Sequence, residues 1–231
     1  MVSRVFQMPL LTRLASALAL LAAICVVAPG AHAAAANAAG AAETFVQQNI
    51  DKGYVILNNT SLPQDQRRMQ FRNFMLGLTD VKRIGMFTLG QYANGASKAD
   101  IDAFTNAFTD YAIAVYESRL SKYKGQTLKV TGADVRSPDD VVVNADVVNP
   151  SAPPNAPVIK AAFRVRKTAD DKPIITDMQV EGIWLALSQR SDFTGFLQQH
   201  GGSLAALTDN LKTQVQQLRA SNENGSITRK T

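Results

Sequence analysis

The chain has 231 residues, of which 24 are basic and 19 acidic, and it contains one cysteine. A formal net charge of +5 is mild and spread along the chain, which argues against a nucleic-acid-binding protein. A single cysteine excludes an intramolecular disulfide, and the length suits one domain with a substantial core.

The N-terminus is typical of a secretory signal peptide. Arg4 and Arg13 precede the apolar run LASALALLAAICVV, and a small-residue AHA site ends at Ala33. This pattern predicts a cleavable signal peptide over residues 1–33 and export from the cytoplasm. One alternative is an uncleaved membrane anchor, for which the apolar run is short. Another is a lipoprotein processed at Cys25, but the preceding LAAI lacks the small residue expected just before the cysteine.

By its composition, the rest of the chain divides into a leader, one domain and a tail. The small-residue stretch AAANAAGAA at 34–42 predicts a mobile leader, and the polar ASNENGSITRKT at 220–231 predicts a disordered tail. One domain over residues 43–219 lies between them. The Pro-rich NPSAPPNAP at 149–157 separates two strand-like runs, which indicates a hairpin loop rather than a domain linker.

The first half of this domain is predicted to be helical, because apolar residues recur there at spacings of three and four. Pro63 is predicted to open the second helix and Asp80 to cap the third. Ser97 with Asp100 resembles a capping box at the start of the longest helix. That helix carries a wide, aromatic-rich stripe formed by Ile101, Phe104, Phe108, Tyr111 and Val115.

The apolar period changes to that of strands after Gly125. The runs TLKVTGADV, DVVVNADVV, VIKAAFRVR and PIITDMQVEGIWL are rich in Val, Ile and Thr and are bounded by turn residues. They predict an antiparallel sheet with one apolar and one polar face. Two more helices follow, the last behind a Ser203 cap. The predicted fold class is α+β, and we expect the apolar face of the sheet to meet the aromatic stripe.

Two stretches resemble a known family. RIGMFTLGQY before a long helix with F-x-x-x-F spacing, and VEGIWLALSQRSDF after the strands, are similar to motifs of the MlaC-type periplasmic lipid carriers, also called the toluene-tolerance substrate-binding family. The resemblance runs from about residue 43 to 218. Two positions depart from it: Ala93 follows Tyr92 where many members have Trp, and Trp184 replaces a usual Ser.

This resemblance implies a function and a fold. It implies a monomeric carrier that shuttles phospholipid between the outer membrane and an inner-membrane ABC transporter with a lipid-binding ring component, and so maintains outer-membrane lipid asymmetry. An outer-membrane lipoprotein complex would be the second partner. The implied fold is a twisted antiparallel sheet of four to five strands wrapped by helices, with an apolar lipid cavity between. No cofactor, metal or catalytic step is implied. A hopanoid carrier of the same family is an alternative, because ALSQRSDF is similar to that branch.

Apolar and aromatic side chains of these segments are the candidate walls for acyl chains. Each of them is equally an ordinary core residue by its pattern. The candidates are Phe74, Leu78, Phe87, Leu89, Tyr92, Phe104, Phe108, Tyr111, Met178, Val180, Ile183, Trp184, Leu185, Phe193 and Phe196.

Arg190 is the candidate contact for a lipid head group, because a guanidinium pairs well with phosphate. The alternative is an ion pair with Asp192, Glu181 or another nearby carboxylate. Arg83 has the same two interpretations and is expected to be solvated. Lys122 and Lys124 follow the long helix and are expected to interact with its C-terminal dipole.

Two other classes of protein stay open. One is a cone-shaped isomerase or hydratase, which needs a desolvated acid or base. Asp110 and Glu117 lie off the apolar stripe and are expected to be solvated, and His200 before a Gly-Gly pair suits a helix end. The other is an envelope interaction module with a filled core that binds protein and no lipid.

Overall fold

The computed structural model describes residues 29–121, 126–153 and 155–227. The helices before the sheet are α1 (Pro29–Asn58), α2 (Gln64–Leu78), α3 (Val81–Leu89), a 3₁₀ turn (Gly90–Ala93) and α4 (Lys98–Ser121). The strands are β1 (Thr127–Ser137), β2 (Asp140–Val148), β3 (Lys160–Lys167), β4 (Pro173–Val180) and β5 (Ile183–Trp184). The chain closes with α5 (Leu185–Gln199) and α6 (Leu204–Ile227). Within these ranges, no helix combines the length and apolar character needed to cross a membrane.

Several predicted features fall partly or wholly outside the described residues. Most of the predicted signal peptide does so, as do Lys122 and Lys124. The structure has residues 34–42 within α1 instead of a separate leader, because Ala-rich sequence favours a helix. Similarly, α6 continues to Ile227, into the predicted tail. The predicted cleavage after Ala33 stays a prediction.

The helix starts follow the predicted caps. Pro63 directly precedes α2. The Asp80 carboxylate accepts the amide of Arg83 at 2.9 Å at the start of α3. The Ser97 hydroxyl accepts the amide of Asp100 at 3.1 Å and donates to its carboxylate at 2.7 Å. Local side-chain chemistry therefore fixes where α2, α3 and α4 begin.

The turn between α5 and α6 is closed by two glycines. Gly201 and Gly202 have φ angles of 62° and 77°, which favour glycine, and the amide of Gly202 donates to the carbonyl of Leu197 at 2.7 Å. The hydroxyl of Ser203 then accepts the amide of Ala206 at 3.2 Å. The predicted Ser203 cap is confirmed.

The sheet is an antiparallel meander with the strand order β1-β2-β3-β4-β5. The stretch PIITDMQVEGIWL, predicted as one strand, is two strands. Glu181 and Gly182 have φ angles of 50° and 83°, which turn the chain back so that Val180 pairs with Ile183. The fold class, α+β with one antiparallel sheet, is confirmed.

Two separate groups of apolar side chains form the core. The helical cluster lies among α3, α4, α5 and α6, and its buried members are Leu89, Phe104, Ala107, Phe108, Phe193, Leu197, Leu204, Leu207 and Leu211. The sheet cluster lies between α1 and the sheet, and its buried members are Ala42, Val46, Val141, Val143, Ala145, Phe163 and Val165.

The expectation that the sheet meets the aromatic stripe is wrong. The apolar face of the sheet packs against α1, whose side chains Ala42 and Val46 are buried there. The aromatic stripe of α4 packs instead against the helices around it. Gln47 on α1 also accepts the amide of Val130 on β1, at 3.2 Å and across 83 residues of sequence. Because α1 supplies an apolar face of its own, the stripe of α4 is left free for other helices.

The second face of the sheet holds a partly buried ion pair. Arg164 Nε and Nη2 lie 2.9 Å and 2.5 Å from the two carboxylate oxygens of Asp140. The guanidinium lowers the pKa of Asp140 below its usual range. This bidentate pair joins β2 to β3.

Asp140→Asn is expected to lower the free energy of unfolding by about 1–3 kcal/mol at neutral pH, because it leaves Arg164 without its partner. A carboxyl with a lowered pKa stabilises the fold above its usual pKa and loses that contribution as pH falls through its lowered pKa. The difference from wild type should therefore shrink on acidification below about pH 4. Urea unfolding at several pH values measures it. Asp139→Asn, at an exposed neighbouring position, is the control, and equal losses in both variants would contradict the prediction.

Candidate functional site

Aromatic rings fill the helical cluster. The rings of Phe104 and Phe108 stack with centroids 5.8 Å apart, and Phe193 meets both edge-on at 6.0 Å and 6.1 Å. A Cβ added to Gly85 would lie 3.1 Å from Phe108, so α3 approaches these rings closely. The rings contact each other directly, which leaves no room for an acyl chain between them.

Seven of the candidate wall residues belong to this helical cluster or pack against it. Four of them are buried members and three are partly buried at its edge: Leu89, Phe104, Phe108, Phe193, Tyr92, Tyr111 and Phe196. Their arrangement is that of a packed core in this structure. That they contact lipid stays a prediction.

The other candidates are spread over four places. Phe74 and Leu78 are half-buried on α2, and Met178 packs against the sheet cluster. Around the β4–β5 turn, Ile183 is exposed, and the neighbouring Val180, Trp184 and Leu185 are half-buried. The remaining candidate is Phe87, which is exposed on α3. The candidates therefore do not line one surface.

Arg190 stacks on an aromatic ring. Its guanidinium carbon lies 5.0 Å from the ring centre of Phe87, and a Cβ added to Gly90 would come within 3.2 Å of its Nε. In the described part of the chain, no ion pair joins Arg190 to Asp192 or Glu181. The predicted alternative of an ion pair is therefore not what the structure has. The head-group role of Arg190 stays a prediction.

Glu117 is half-buried on α4, near Arg68 of α2 and Arg219 of α6, so the expectation that it is solvated is wrong. Arg68 Nε lies 3.0 Å from Glu117 Oε2, and their side chains are only 22% and 12% exposed. Neither carboxylate oxygen has a well-directed hydrogen bond among the described residues, so the contact with Arg68 is mainly one of charge. Burial raises the pKa of Glu117, and the charges of Arg68 and Arg219 oppose that rise.

A second ion pair joins α2 to α4, between Arg72 and Asp110. It is more exposed than the pair between Arg68 and Glu117. Both acidic residues lie on α4, seven residues apart and so on one face of the helix. This arrangement could not be predicted from the sequence, because the basic residues come from a helix about forty residues away.

An open groove of about 460 Å³ lies at one end of these ion pairs. It runs between the end of α2, the start of α3, the side of α4 and the β3–β4 hairpin. Its lining consists of Leu76, Gly77, Thr79, Asp80, Val81, Lys82, Thr105, Thr109, Thr168 and Ile174. Sequence reasoning missed these residues because they come from four separate segments, and threonines on a helix carry no distinctive binding signal.

Hydrogen bonds hold this groove to the sheet and satisfy its hydroxyls. The Thr79 hydroxyl donates to the carbonyl of Ile175 on β4 at 2.6 Å. The hydroxyls of Thr105 and Thr109 donate at 2.7 Å to carbonyls one turn back in α4. The hydroxyls of Thr79, Thr105 and Thr109 therefore present no unsatisfied donor to the groove.

Comparison with known proteins identifies the family to which this chain belongs. The family model described as MlaC protein matches residues 47–213, well over half of the chain. The chain is a member of the MlaC family. The matched range contains the groove, the two ion pairs, the buried members of the helical cluster and those of the sheet cluster except Ala42 and Val46.

A solved structure shares the fold of this MlaC family member. It is a phospholipid-binding protein from Ralstonia solanacearum in complex with a phospholipid. The TM-score is 0.65 at 20% sequence identity, and the match covers 77% of this chain and 98% of that chain. At this identity the likeness establishes a common fold.

Trp184 is one of the two positions that depart from the family resemblance in the sequence. Here it precedes α5 directly and is half-buried, with the guanidinium carbon of Arg136 lying 6.0 Å from its ring centre. Nearby, Asp177 accepts the amides of Met178 and Ala186 at 2.8 Å and 3.0 Å. Burial raises the pKa of Asp177, and these two amides oppose the rise. The start of α5 is thus fixed to β4.

His200 stacks on Phe196, with ring centroids 3.9 Å apart, and its Nδ1 lies 2.8 Å from the carbonyl oxygen of that residue. It is exposed at the end of α5, which fits the expected place at a helix end. Over the described ranges, no group of three or more His, Cys, Asp or Glu side chains could hold a metal ion.

Proposed function

We propose that this chain is a periplasmic carrier of phospholipid. The observation that carries the proposal is its membership of the MlaC family across residues 47–213. The fold shared with a Ralstonia protein crystallised with a phospholipid supports the same ligand class. The signal-peptide pattern at the N-terminus supports the compartment.

The arrangement of the core also suits a carrier. A carrier must surround acyl chains with apolar side chains, and each CH₂ removed from water contributes about 0.8 kcal/mol. It must also release them, which requires parts that separate without unfolding. Here a helical cluster and a sheet cluster have no buried member in common. Movement between two such units is a natural way to admit and release a lipid.

The partners follow from the family. We propose that the protein exchanges phospholipid with an inner-membrane ABC transporter that has a lipid-binding ring component, and with an outer-membrane lipoprotein complex. It would act as a monomer and without a cofactor. Contacts with two partners in turn should be small and transient. A hopanoid in place of the phospholipid is the competing ligand, because Trp184 occupies a motif position where a ring system could pack.

Native mass spectrometry tests the ligand class. The protein is purified without detergent from its own envelope fraction, and the bound lipid is extracted and identified. We expect a mass increase equal to one phospholipid, which disappears after organic extraction and returns after incubation with phospholipid vesicles.

The other outcomes are equally informative. A hopanoid in the extract would keep the carrier function and replace the ligand class. A bare mass both before and after incubation with vesicles would contradict the carrier function and favour an interaction module with a filled core.

A further inference from the structure

We propose that the outer face of the sheet, together with the β2–β3 hairpin at its end, binds the surface of an anionic lipid membrane. The outer face is the one opposite α1, and it carries the ion pair between Asp140 and Arg164. The inference goes beyond the carriage of a lipid, because it concerns the surface through which the folded protein meets a membrane.

A row of charges crosses one end of the outer face. Asp146 on β2 is paired in register with Lys129 on β1 and with Lys160 on β3. Residues paired across antiparallel strands share a face of the sheet, so these three side chains lie side by side. Lys160 Nζ lies 2.8 Å and 3.0 Å from the two carboxylate oxygens of Asp146. Lys129 is exposed and belongs to no ion pair in the described part of the chain.

A second row of charges crosses the other end of this face. Asp140 is paired in register with Arg166 on β3 and accepts both bonds of Arg164. Arg136 lies at the neighbouring bulge of β1, with its guanidinium carbon 6.0 Å from the ring centre of Trp184. Among the described residues, neither Arg136 nor Arg166 forms an ion pair. Each row therefore contains more basic than acidic groups.

The acids of the outer face lie deeper than the bases beside them. The side chain of Asp140 is 11% exposed, against 35% for that of Arg164. The side chain of Asp146 is 25% exposed, against 67% for that of Lys160. A further acid, Asp177, is half-buried and accepts two backbone amides. A partner that approaches this face therefore meets positive charge first, which favours an anionic partner.

An uncharged tip continues the outer face beyond the first row. Residues 147–159, VVNPSAPPNAPVI, contain no Asp, Glu, Lys or Arg. Val148 and Val158, at the two sides of this hairpin loop, are 44% and 53% exposed. Val148 lies two residues after Asp146 on β2 and so points to the same face. Exposed aliphatic side chains thus stand directly beside exposed lysines.

This combination fits a lipid surface better than a protein surface. Uncharged aliphatic side chains enter the boundary between headgroups and acyl chains, while cations beside them contact anionic headgroups. An acidic protein would match the two rows of cations, but it gives no reason for an exposed aliphatic tip next to them. We therefore assign the outer face to a membrane with anionic headgroups.

Sedimentation with vesicles tests this binding. The protein is purified without detergent from its own envelope fraction and mixed with vesicles of phosphatidylcholine alone, or of equal parts phosphatidylcholine and phosphatidylglycerol. We expect at least about tenfold tighter binding to the anionic vesicles, because about 1 kcal/mol is gained for each basic residue near such a surface. Added salt should weaken it, as the screening length falls from about 10 Å at about 0.1 M to about 3 Å at about 1 M. Absence of binding at low salt would overturn the proposal and favour an acidic protein as the partner.

Two lysines of the outer face provide the first variant. Lys129→Gln is combined with Lys160→Gln. The control combines Lys52→Gln on α1 with Lys212→Gln on α6, where Lys212 Nζ is likewise paired, at 3.0 Å from Asp209. We expect the first variant to bind anionic vesicles at least about tenfold more weakly and the control to bind like the wild type. Equal losses in both variants would overturn the assignment to this face, since net charge alone would then decide the binding.

A variant that gains affinity excludes misfolding as the cause. Asp134 is an exposed acid of the outer face, and its carboxylate accepts the side-chain amide of Asn144 at 2.8 Å. Asp134→Asn should strengthen binding to anionic vesicles at least about threefold, because it removes a negative charge from the face. Asp51→Asn on α1 is the control, since that exposed carboxylate accepts the side-chain amide of Gln47 at 3.0 Å. Weaker or unchanged binding by Asp134→Asn would contradict the proposal.

The tip is tested without a change of charge. Val158→Ser removes an aliphatic side chain from the hairpin, and Val55→Ser does the same on α1, at a residue that is 72% exposed. We expect the first to weaken binding at least about threefold and the second to leave it unchanged. Equal binding by both variants would overturn the role of the tip. A protein that sediments with anionic vesicles, yet carries no lipid in native mass spectrometry, would overturn the proposed function and support the membrane-binding face.

Discussion

Phe104→Ala is expected to lower the free energy of unfolding by about 3–5 kcal/mol, the range for removing a buried aromatic side chain. Phe104 is completely buried and meets the rings of Phe108 and Phe193. Truncation therefore leaves a cavity that these rings cannot close. Urea unfolding of the wild type and the variant measures the loss. Phe87→Ala, at an exposed position on the neighbouring α3, is the control and should cost about 1 kcal/mol or less.

The Phe104→Ala variant also distinguishes a core residue from a residue that contacts the lipid. If Phe104 is core, the variant loses the same stability with and without bound phospholipid. If Phe104 contacts the lipid, the loss is larger in the loaded protein, because part of the stabilisation by the ligand disappears. A loss below about 1 kcal/mol in the lipid-free protein would contradict the packed arrangement in the structure.

Val46→Asp is expected to lower the free energy of unfolding by at least about 3 kcal/mol, because it places an unpaired carboxylate in the sheet cluster. Val46 is 1% exposed between α1 and the sheet. Val55→Asp is the matched control: it makes the same change on the same helix, at a residue that is 72% exposed. It should change stability by no more than about 0.5 kcal/mol.

Thermal and urea unfolding of the two α1 variants give the comparison directly. If the variant at position 46 loses only the helical signal of α1 and its sheet still unfolds cooperatively, the sheet does not need α1 for its stability. Loss of the whole transition at lower urea would show that α1 and the sheet unfold as one unit. Equal stability of the two variants would contradict the burial of α1.

Local chemistry accounts for what the sequence predicts well. Caps such as Asp80 and Ser97 act within one turn of the chain, so their residue types and spacing suffice to place helix starts. Runs rich in Val, Ile and Thr and bounded by turn residues likewise predict β1 to β4 before any partner is known. The break at Glu181 and Gly182 was harder to predict, because a non-glycine residue with positive φ leaves little trace in the sequence.

Features that depend on contacts between distant segments of the chain are predicted poorly from the sequence. The apolar face of the sheet can pack against any amphipathic helix, and periodicity alone does not choose between α1 and α4. A stretch rich in Ala has the composition of a flexible leader. Only the structure shows that its last residues, such as Ala42, pack against β-strands. Glu117 has the same pattern as a solvated residue, and its burial depends on Arg68 and Arg219 from other helices.

The candidate site was predictable only in kind. The resemblance in the motifs predicted the family, which the family match confirms, and the apolar site for lipid stays a prediction. The groove itself is formed by threonines and short segments of α2, α3 and β4, and it exists only once these segments are assembled. No run of neighbouring residues in the sequence marks it.

The docking of α1 on the sheet sets an order for folding during synthesis. Hydrogen-bonded strand pairs are all consecutive in the chain, so the meander forms from local contacts. The bond between Gln47 and Val130, in contrast, spans 83 residues. At about 5–20 residues per second, the apolar face of α1 waits roughly 4–17 s for its first strand to be made. During that interval the apolar face of α1 has no strand to pack against.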